Sequence, residues 1–179
     1  MKNKKLKILY SKSQIEKMVK SLAKKIDNDY SSRKNKKPIV AIAVLKGAFI
    51  FTSDLIREIK MPVQLEFVKI SSYGSKKTSS GKIDAPLLLL PDLSKRDILI
   101  VEDIVDSGRT VAFLREYITD QFKPHSLKVV CLLSKRACRE INVKVDYIGF
   151  EVGNHFLVGY GLDNAEKFRH LPYLATVGL

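Results

Sequence analysis

The sequence predicts an α/β fold in which a central, mostly parallel sheet is flanked by helices. Three short apolar runs, at residues 39–45, 98–101 and 127–134, have the composition of strands that are buried on both faces. Each run ends in polar residues, and the first two are followed by a helical pattern. Because the carboxyl ends of parallel strands meet at one edge of a sheet, we expect a ligand site at that edge.

Length and composition are those of a single globular domain. The chain has 179 residues, of which 45% are hydrophobic, and this is enough to build a sizeable core. No apolar run approaches the roughly 20 residues that a membrane helix needs. The Lys-rich start also lacks the apolar centre of a signal peptide. We therefore expect a cytoplasmic protein with no membrane partner.

The net charge of +13 is concentrated near the N-terminus. Residues 1–37 contain 13 Lys or Arg against 3 Asp or Glu, which accounts for +10 of the total. Such a segment is either a solvated surface that aids solubility or a surface that binds a polyanion, and we favour the first interpretation.

The N-terminal segment also predicts a helix. Ser13 and Glu16 have the spacing of a capping box. Apolar residues then recur at helical spacing, at Ile15, Met18, Val19, Leu22 and Ile26. The predicted amphipathic helix has about four turns and ends in the polar cluster at residues 28–37. We accordingly treat residues 1–37 as a basic extension with one helix.

The next elements follow the first buried run. Residues 39–45 lead to Lys46-Gly47 and then to a helical pattern that Met61-Pro62 ends. Residues 63–70 alternate enough to predict a strand with one wetter face. The Ser-, Gly- and Lys-rich segment 71–85 has no apolar period, which predicts a mobile loop.

The most informative motif is ILIVEDIVDSGRT, at residues 98–110. Two carboxylates, Glu102 and Asp103, come where the strand is expected to end, and residues 106–110 lead into a helix. A helix N-terminus offers free N–H groups and partial positive charge, and Gly108 lets a ligand approach the backbone closely. The loop therefore suits a phosphate, while the carboxylates suit ribose hydroxyls or the waters of a Mg²⁺ ion.

This motif resembles the phosphoribosyl-pyrophosphate loop of the type I phosphoribosyltransferases, and VEDIVDSGRT resembles the hypoxanthine-guanine branch in particular. Residues 146–173 resemble the purine-binding hood of that branch, with an aromatic-aliphatic pair followed by Val-Gly-Tyr, Leu-Asp and Phe-Arg. The resemblance covers about residues 39–169. It implies a core at residues 38–145 and a small hood subdomain with the C-terminus at residues 146–179.

The resemblance implies an activity in purine salvage. It is the transfer of phosphoribosyl from phosphoribosyl pyrophosphate to a 6-oxopurine, hypoxanthine or guanine, giving IMP or GMP and pyrophosphate. Mg²⁺ is the implied cofactor, and a homodimer or homotetramer is the implied assembly. The alternatives are a phosphoribosyltransferase for xanthine or a pyrimidine, and a phosphoribosyl-pyrophosphate sensor that binds nucleic acid. We favour the enzyme over the sensor because Asp106 and the hood are both present.

Matching positions imply roles for the residues of the central motif. Asp106 is the implied general base, and Glu102 and Asp103 are implied to engage the ribose, directly or through Mg²⁺. The residues implied to hold the 5′-phosphate are Ser107, Gly108, Arg109 and Thr110.

Roles are also implied outside that motif. The residues implied to bind pyrophosphate are Lys46, Gly47 and Arg169, with a cis peptide bond between Leu45 and Lys46. The residues implied to lie around the purine are Lys135, Phe156, Leu157 and Asp163, and Asp163 is also an implied Mg²⁺ ligand. Ser72 and Tyr73 are implied to belong to a flexible lid.

Overall fold

The computed structural model describes residues 6–31, 37–70 and 90–178. The strands are β1 Leu6–Tyr10, β2 Ile39–Leu45, β3 Val63–Lys69, β4 Asp97–Val105, β5 Ser126–Ser134, β6 Tyr147–Glu151, β7 Leu157–Val158 and β8 Leu174–Val177. The helices are α1 Lys12–Ser31, α2 Phe49–Glu58 and α3 Arg109–Phe122, with a short 3-10 helix at Arg136–Cys138.

The main sheet confirms the predicted parallel arrangement. Its strand order is β3-β2-β4-β5-β6, and every neighbouring pair is parallel. The prediction that β4 ends at its two carboxylates is wrong, since the strand continues to Val105, which pairs with Ser134. Glu102 and Asp103 therefore lie inside the strand, because the ladder to β5 extends past them.

The sheet is covered on both faces, as the continuous apolar runs predict. Leu99 and Val101 of β4 pack in a core cluster that includes α1 and α2. Ile98 and Ile100 pack in a second cluster, which includes α3. Successive side chains of a strand point to opposite faces, so β4 contributes to both clusters.

The cap of α1 differs from its prediction. Ser11, not Ser13, precedes the helix, and its backbone N–H donates to Gln14 Oε1 at 2.9 Å. The Gln14 N–H donates in return to Ser11 Oγ at 3.4 Å. The capping box is thus Ser11-Gln14 rather than Ser13-Glu16, because β1 ends at Tyr10 and leaves Ser11 at the cap.

A small antiparallel sheet, of order β1-β8-β7, joins the two ends of the chain. Residues 6–10 therefore pair with the C-terminal strand instead of forming a separate extension. β6 lies in the main sheet, so only the strands β7 and β8 of the expected hood segment, which follow Glu151, belong to the small sheet. Tyr10 stacks on Phe150 of β6 with 3.9 Å between ring centroids, which packs the small sheet against the large one.

The predicted lid residues Ser72 and Tyr73 lie outside the described residues. Among the helices of the described ranges, none combines the length and apolar character that crossing a membrane requires.

We expect Ile26→Ala to lower the free energy of unfolding by about 2–5 kcal/mol. The Ile26 side chain of α1 is fully buried in the core, so the substitution leaves a cavity. Urea denaturation measures the loss, and Lys25→Ala on the exposed side of the same helix is the control. If the two variants lose equal stability, α1 is not part of the core.

Candidate active site

The loop between β4 and α3 is shaped to expose backbone N–H groups. Gly108 has φ +86°, and a Cβ on it would lie 2.7 Å from the Ile141 carbonyl oxygen, so a side chain there would be strained. The Ser107 carbonyl accepts from the N–H groups of Glu140 and Ile141 at 3.0 and 3.1 Å. Within the described part of the chain, no backbone acceptor engages the N–H of Gly108 or Thr110. These groups remain available to an anion.

A cleft of about 80 Å³ lies at this loop. It is lined by Glu102, Ile104, Val105, Asp106, Ser107, Gly108, Thr110 and Val111. Ligand pockets for small molecules are typically about 300–1,000 Å³, so this cleft has room for one part of a nucleotide only. Its exposed N–H groups at the start of α3 make it suitable for a phosphate.

Glu102 and Asp103 face opposite sides of the sheet because they are adjacent in β4. Glu102 lines the cleft beside α3. Asp103 lies against the turn after β2, where a Cβ on Gly47 would overlap its carboxylate. The two carboxylates thus lie beside different elements of the site, although their side chains also interact with each other.

Burial disfavours the charged form of both carboxylates. Burial and, next, the neighbouring Asp103 raise the pKa of Glu102 well above its usual value. Burial also raises the pKa of Asp103, although a hydrogen bond with the Glu102 side chain and then the Ile104 N–H, at 2.8 Å from Asp103 Oδ1, favour its charged form. Among the described residues, Glu102 Oε2 is buried without a hydrogen-bond partner. The pair therefore provides oxygen atoms for a hydroxyl donor or a cation.

An ion pair joins the ends of β4 and β5. Lys135 Nζ donates to Asp106 Oδ2 at 3.0 Å. The Lys135 side chain is 10% exposed, whereas that of Asp106 is 50% exposed. The Lys135 N–H donates to the Val105 carbonyl at 3.0 Å, which fixes the backbone at this point. A fixed donor and an accessible carboxylate are thus side by side at the sheet edge.

A second group of charges lies on the turn after β2. The peptide bond between Leu45 and Lys46 is cis. The Gly47 carbonyl contacts Gly161 so closely that a Cβ on Gly161 would overlap it. Arg169 donates to the Gly161 carbonyl at 2.8 Å and pairs with Asp163 at 2.8 Å. The structure therefore brings together Lys46, Gly47, Asp163 and Arg169, which are far apart in sequence.

Phe156 directly precedes β7 of the small sheet, and Leu157 is the first residue of that strand. The Phe156 side chain is 57% exposed, which is unusual for a core aromatic residue and leaves its ring accessible for stacking. Leu157 is buried and pairs with Thr176 of β8.

The Arg109 guanidinium does not point into the phosphate cleft. Its Nε donates to Glu140 Oε2 at 2.8 Å, and its side chain is 62% exposed. Arg139 lies nearer the loop: its Nη1 is 3.5 Å from the position of a Cβ on Gly108. Nη1 is buried and has no hydrogen-bond partner in the described chain, while Nη2 donates to Ser134 Oγ at 3.0 Å.

Sequence reasoning missed four residues of this region, which are Arg139, Glu140, Gly161 and Glu166. Gly161 directly follows the Val-Gly-Tyr motif, so its position in the sequence could have indicated that it belongs to the site. The other three lie in irregular segments with no periodicity, and only the fold brings them to the site.

A model of the phosphoribosyl transferase domain matches residues 5–165. The chain belongs to the phosphoribosyl transferase family. The match begins at residue 5 and so includes α1, whereas the motifs alone cover about residues 39–169.

Individual relatives place this phosphoribosyl transferase in the hypoxanthine-guanine branch. It is 42% identical over 173 residues to the hypoxanthine-guanine phosphoribosyltransferase of Dictyostelium discoideum, which covers 95% of this chain and 94% of the relative. The enzyme of the same name from Bacillus subtilis is 42% identical over 171 residues, covering 96% and 92%.

Solved structures agree with this placement. A hypoxanthine-guanine phosphoribosyltransferase of Bacillus anthracis has a TM-score of 0.84 at 40% identity and covers 97% of this chain and 99% of its own. The hypoxanthine phosphoribosyltransferase of Trypanosoma cruzi has a TM-score of 0.83 at 35% identity, with 96% of each chain covered. The fold is therefore that of the type I phosphoribosyltransferases.

Glu102→Gln is expected to raise the melting temperature of the metal-free protein. The folded chain keeps the Glu102 proton above the usual pKa of 4.5, so folding carries a penalty that grows as pH rises past that value. Gln removes this penalty, so the gain should be small at about pH 5 and larger at about pH 8, with each kcal/mol worth about 2–4 °C.

Thermal unfolding in a chelating buffer at both pH values measures this effect. Glu116→Gln, at an exposed position on α3, is the matched control. A melting temperature that falls, or that rises equally at both pH values, would contradict the assigned burial of the Glu102 charge.

Proposed function

We propose that this chain transfers the phosphoribosyl group of phosphoribosyl pyrophosphate to hypoxanthine or guanine, giving IMP or GMP and pyrophosphate in purine salvage. The observation that carries the proposal is the ion pair between Lys135 and Asp106, at the carboxyl edge of the sheet and next to the phosphate cleft. The names of the relatives support the choice of base, since they specify hypoxanthine or hypoxanthine and guanine.

The ion pair matches one edge of a 6-oxopurine. O6 and N7 are neighbouring atoms on that edge. Lys135 donates to O6, and Asp106 accepts the N7 proton as the bond to the sugar forms at the other ring nitrogen. Adenine carries an amino group in place of O6, which leaves the ammonium without an acceptor.

The transfer separates charge at the sugar. The bond from the anomeric carbon to pyrophosphate breaks, and its electrons leave with pyrophosphate. A bond from that carbon to the purine nitrogen forms, and the purine proton moves to Asp106. Positive charge develops on the ribose meanwhile. This charge favours the ionised forms of Glu102 and Asp103, whose carboxylates then stabilise the transition state.

Each remaining part of the substrates, namely the 5′-phosphate, the pyrophosphate and the base, is bound by a different group of residues. Residues 107–110 hold the 5′-phosphate through backbone N–H and hydroxyl groups, beside the buried Nη1 of Arg139. Lys46, Gly47 and Arg169 hold pyrophosphate, because two cations there face the leaving group. The exposed ring of Phe156 stacks on the base. The Leu157 carbonyl accepts a hydrogen bond from the exocyclic amino group of the base.

The residues present fit Mg²⁺, which binds oxygen ligands and keeps several waters and substrate oxygens. Glu102 Oε2 is a buried oxygen without a hydrogen-bond partner in the described chain, and Asp103 and Asp163 offer further carboxylates. Among the described residues, no three or more His, Cys, Asp or Glu side chains form a group that could hold a metal ion. When bound, Mg²⁺ would neutralise charge on the leaving pyrophosphate.

We also propose a homodimer or homotetramer in the cytoplasm. Work on the Trypanosoma cruzi relative concerns the role of its C-terminal region in oligomeric state and enzymatic activity. Exposed apolar side chains at Ile8, Phe49 and Phe67 provide surface that an assembly would cover. No nucleic-acid partner is part of this proposal.

Asp106→Asn is expected to lower kcat by about 10²–10⁴-fold, because the amide cannot accept the purine proton. The affinity for phosphoribosyl pyrophosphate should change little. Steady-state IMP formation and calorimetric binding measure the two quantities, with Asp120→Asn on the exposed side of α3 as control. Turnover equal to that of the wild type would remove Asp106 from the role of base.

Lys135→Ala is expected to reduce the preference for hypoxanthine over adenine by about 10–100-fold, because the fixed donor to O6 is lost. The ratio of kcat/KM for the two bases measures the preference. Arg136→Ala is the control, since Arg136 is the next residue in the chain, is exposed and pairs with Glu151 instead of Asp106. An unchanged ratio in Lys135→Ala would show that another group selects the base.

A further inference from the structure

Glu166 occupies the space between the two cations assigned to pyrophosphate. Its Oε1 lies 3.0 Å from Lys46 Nζ. Arg169 Nη2 lies 3.4 Å from Oε1 and 3.5 Å from Oε2 of the same carboxylate. One internal anion thus bridges cations from two segments of the chain that are more than a hundred residues apart in sequence.

The local backbone directs this side chain to the cations. Ala165 and Glu166 have φ values of +52° and +61°, a left-handed conformation that non-glycine residues rarely adopt. The Glu166 N–H donates to Asp163 Oδ2 at 2.8 Å. Asn164 and Lys167 close the turn through a pair of backbone hydrogen bonds, each at 3.1 Å. The turn is therefore a defined structure that presents Glu166 to the site.

Another anion can readily replace Glu166 in its ion pair with Lys46. The Glu166 side chain is 66% exposed, and that of Lys46 is 53% exposed. Exposed ion pairs contribute little to stability because water and salt screen them. The hydrogen bond and charge of Lys46 lower the pKa of Glu166, so the residue is anionic at neutral pH. A pyrophosphate group, with several charges, competes effectively for the same cations.

We propose that Glu166 is an internal substitute for pyrophosphate. In the free protein it holds Lys46 and Arg169 close together, and it leaves them when the pyrophosphate group of the substrate binds. When product pyrophosphate departs, Glu166 returns to Lys46, while Arg169 keeps its pairing with Asp163 throughout. Glu166 is thus a positioning residue that sets the affinity for pyrophosphate and favours its release. This inference rests on the proposed function.

The test is the binding of inorganic pyrophosphate with Mg²⁺, measured by isothermal titration calorimetry. Glu166→Gln removes the competing charge and preserves side-chain size, so we expect the Kd for pyrophosphate to fall by about 3–10-fold. The matched control is Glu151→Gln, since Glu151 is also exposed and pairs with Arg136 at 2.9 Å outside this cluster. Its Kd for pyrophosphate should equal that of the wild type.

A double-mutant cycle separates competition from a general charge effect. In a Lys46→Met background, Glu166→Gln should change the Kd by less than it does alone, because the contact it releases is already absent. Circular dichroism verifies that all variants fold.

An unchanged or larger Kd in Glu166→Gln would overturn the inference, as would an equal fall in Glu151→Gln or no binding by the wild type. Failure of the proposed function is visible separately, as the absence of IMP formation by the wild type from hypoxanthine and phosphoribosyl pyrophosphate.

Discussion

The parallel pairing of β2, β4 and β5 determines where every proposed contact lies. Because the three strands run in one direction, their carboxyl ends bring the Lys46-Gly47 turn, the loop after Val105 and Lys135 to one edge of the sheet. Close packing then joins this edge to the hood, since Gly47 fits between the Asp103 carboxylate and Gly161 with no room for a side chain on either glycine. A displacement of the hood at Gly161 would therefore move Gly47 and, through it, the Asp103 side chain of β4.

Charge is arranged along this edge by burial and pairing. The buried Glu102 and Asp103 have raised pKa values, and Glu102 Oε2 has no hydrogen-bond partner among the described residues. The outer cations are instead paired within the protein, Lys46 with Glu166 and Arg169 with Asp163. Substrate anions thus replace the internal carboxylate partners of the cations, and a hydroxyl group or metal ion can bind the unpartnered Glu102 oxygen. Both exchanges limit the free-energy cost of desolvating the site.

Much of this arrangement could be predicted from sequence. Apolar runs identify strands buried on both faces, and the spacing of Asp106, Gly108 and Lys135 relative to strand ends predicts their place at one edge. The extension of β4 to Val105 could not be predicted, because polar residues inside a buried strand are tolerated only where a ligand site or pairing supports them.

Other features depend on distant contacts that leave no local pattern. The pairing of β1 with β8 joins chain segments that are separated by most of the sequence. The strand β7 has only two residues, which is too short to show an alternation of apolar and polar side chains. The position of Glu166 between two cations likewise follows from a left-handed turn in an irregular segment. Only the folded structure reveals these contacts.

The decisive measurement is nucleotide formation by the wild-type protein from phosphoribosyl pyrophosphate and Mg²⁺, with hypoxanthine, guanine, xanthine and adenine offered separately. We expect hypoxanthine or guanine to react and adenine to remain unreacted, because only a 6-oxo base gives Lys135 an acceptor while Asp106 takes the ring proton. Efficient turnover of adenine, or no turnover of any base by protein that binds phosphoribosyl pyrophosphate, would contradict the proposed function of this edge.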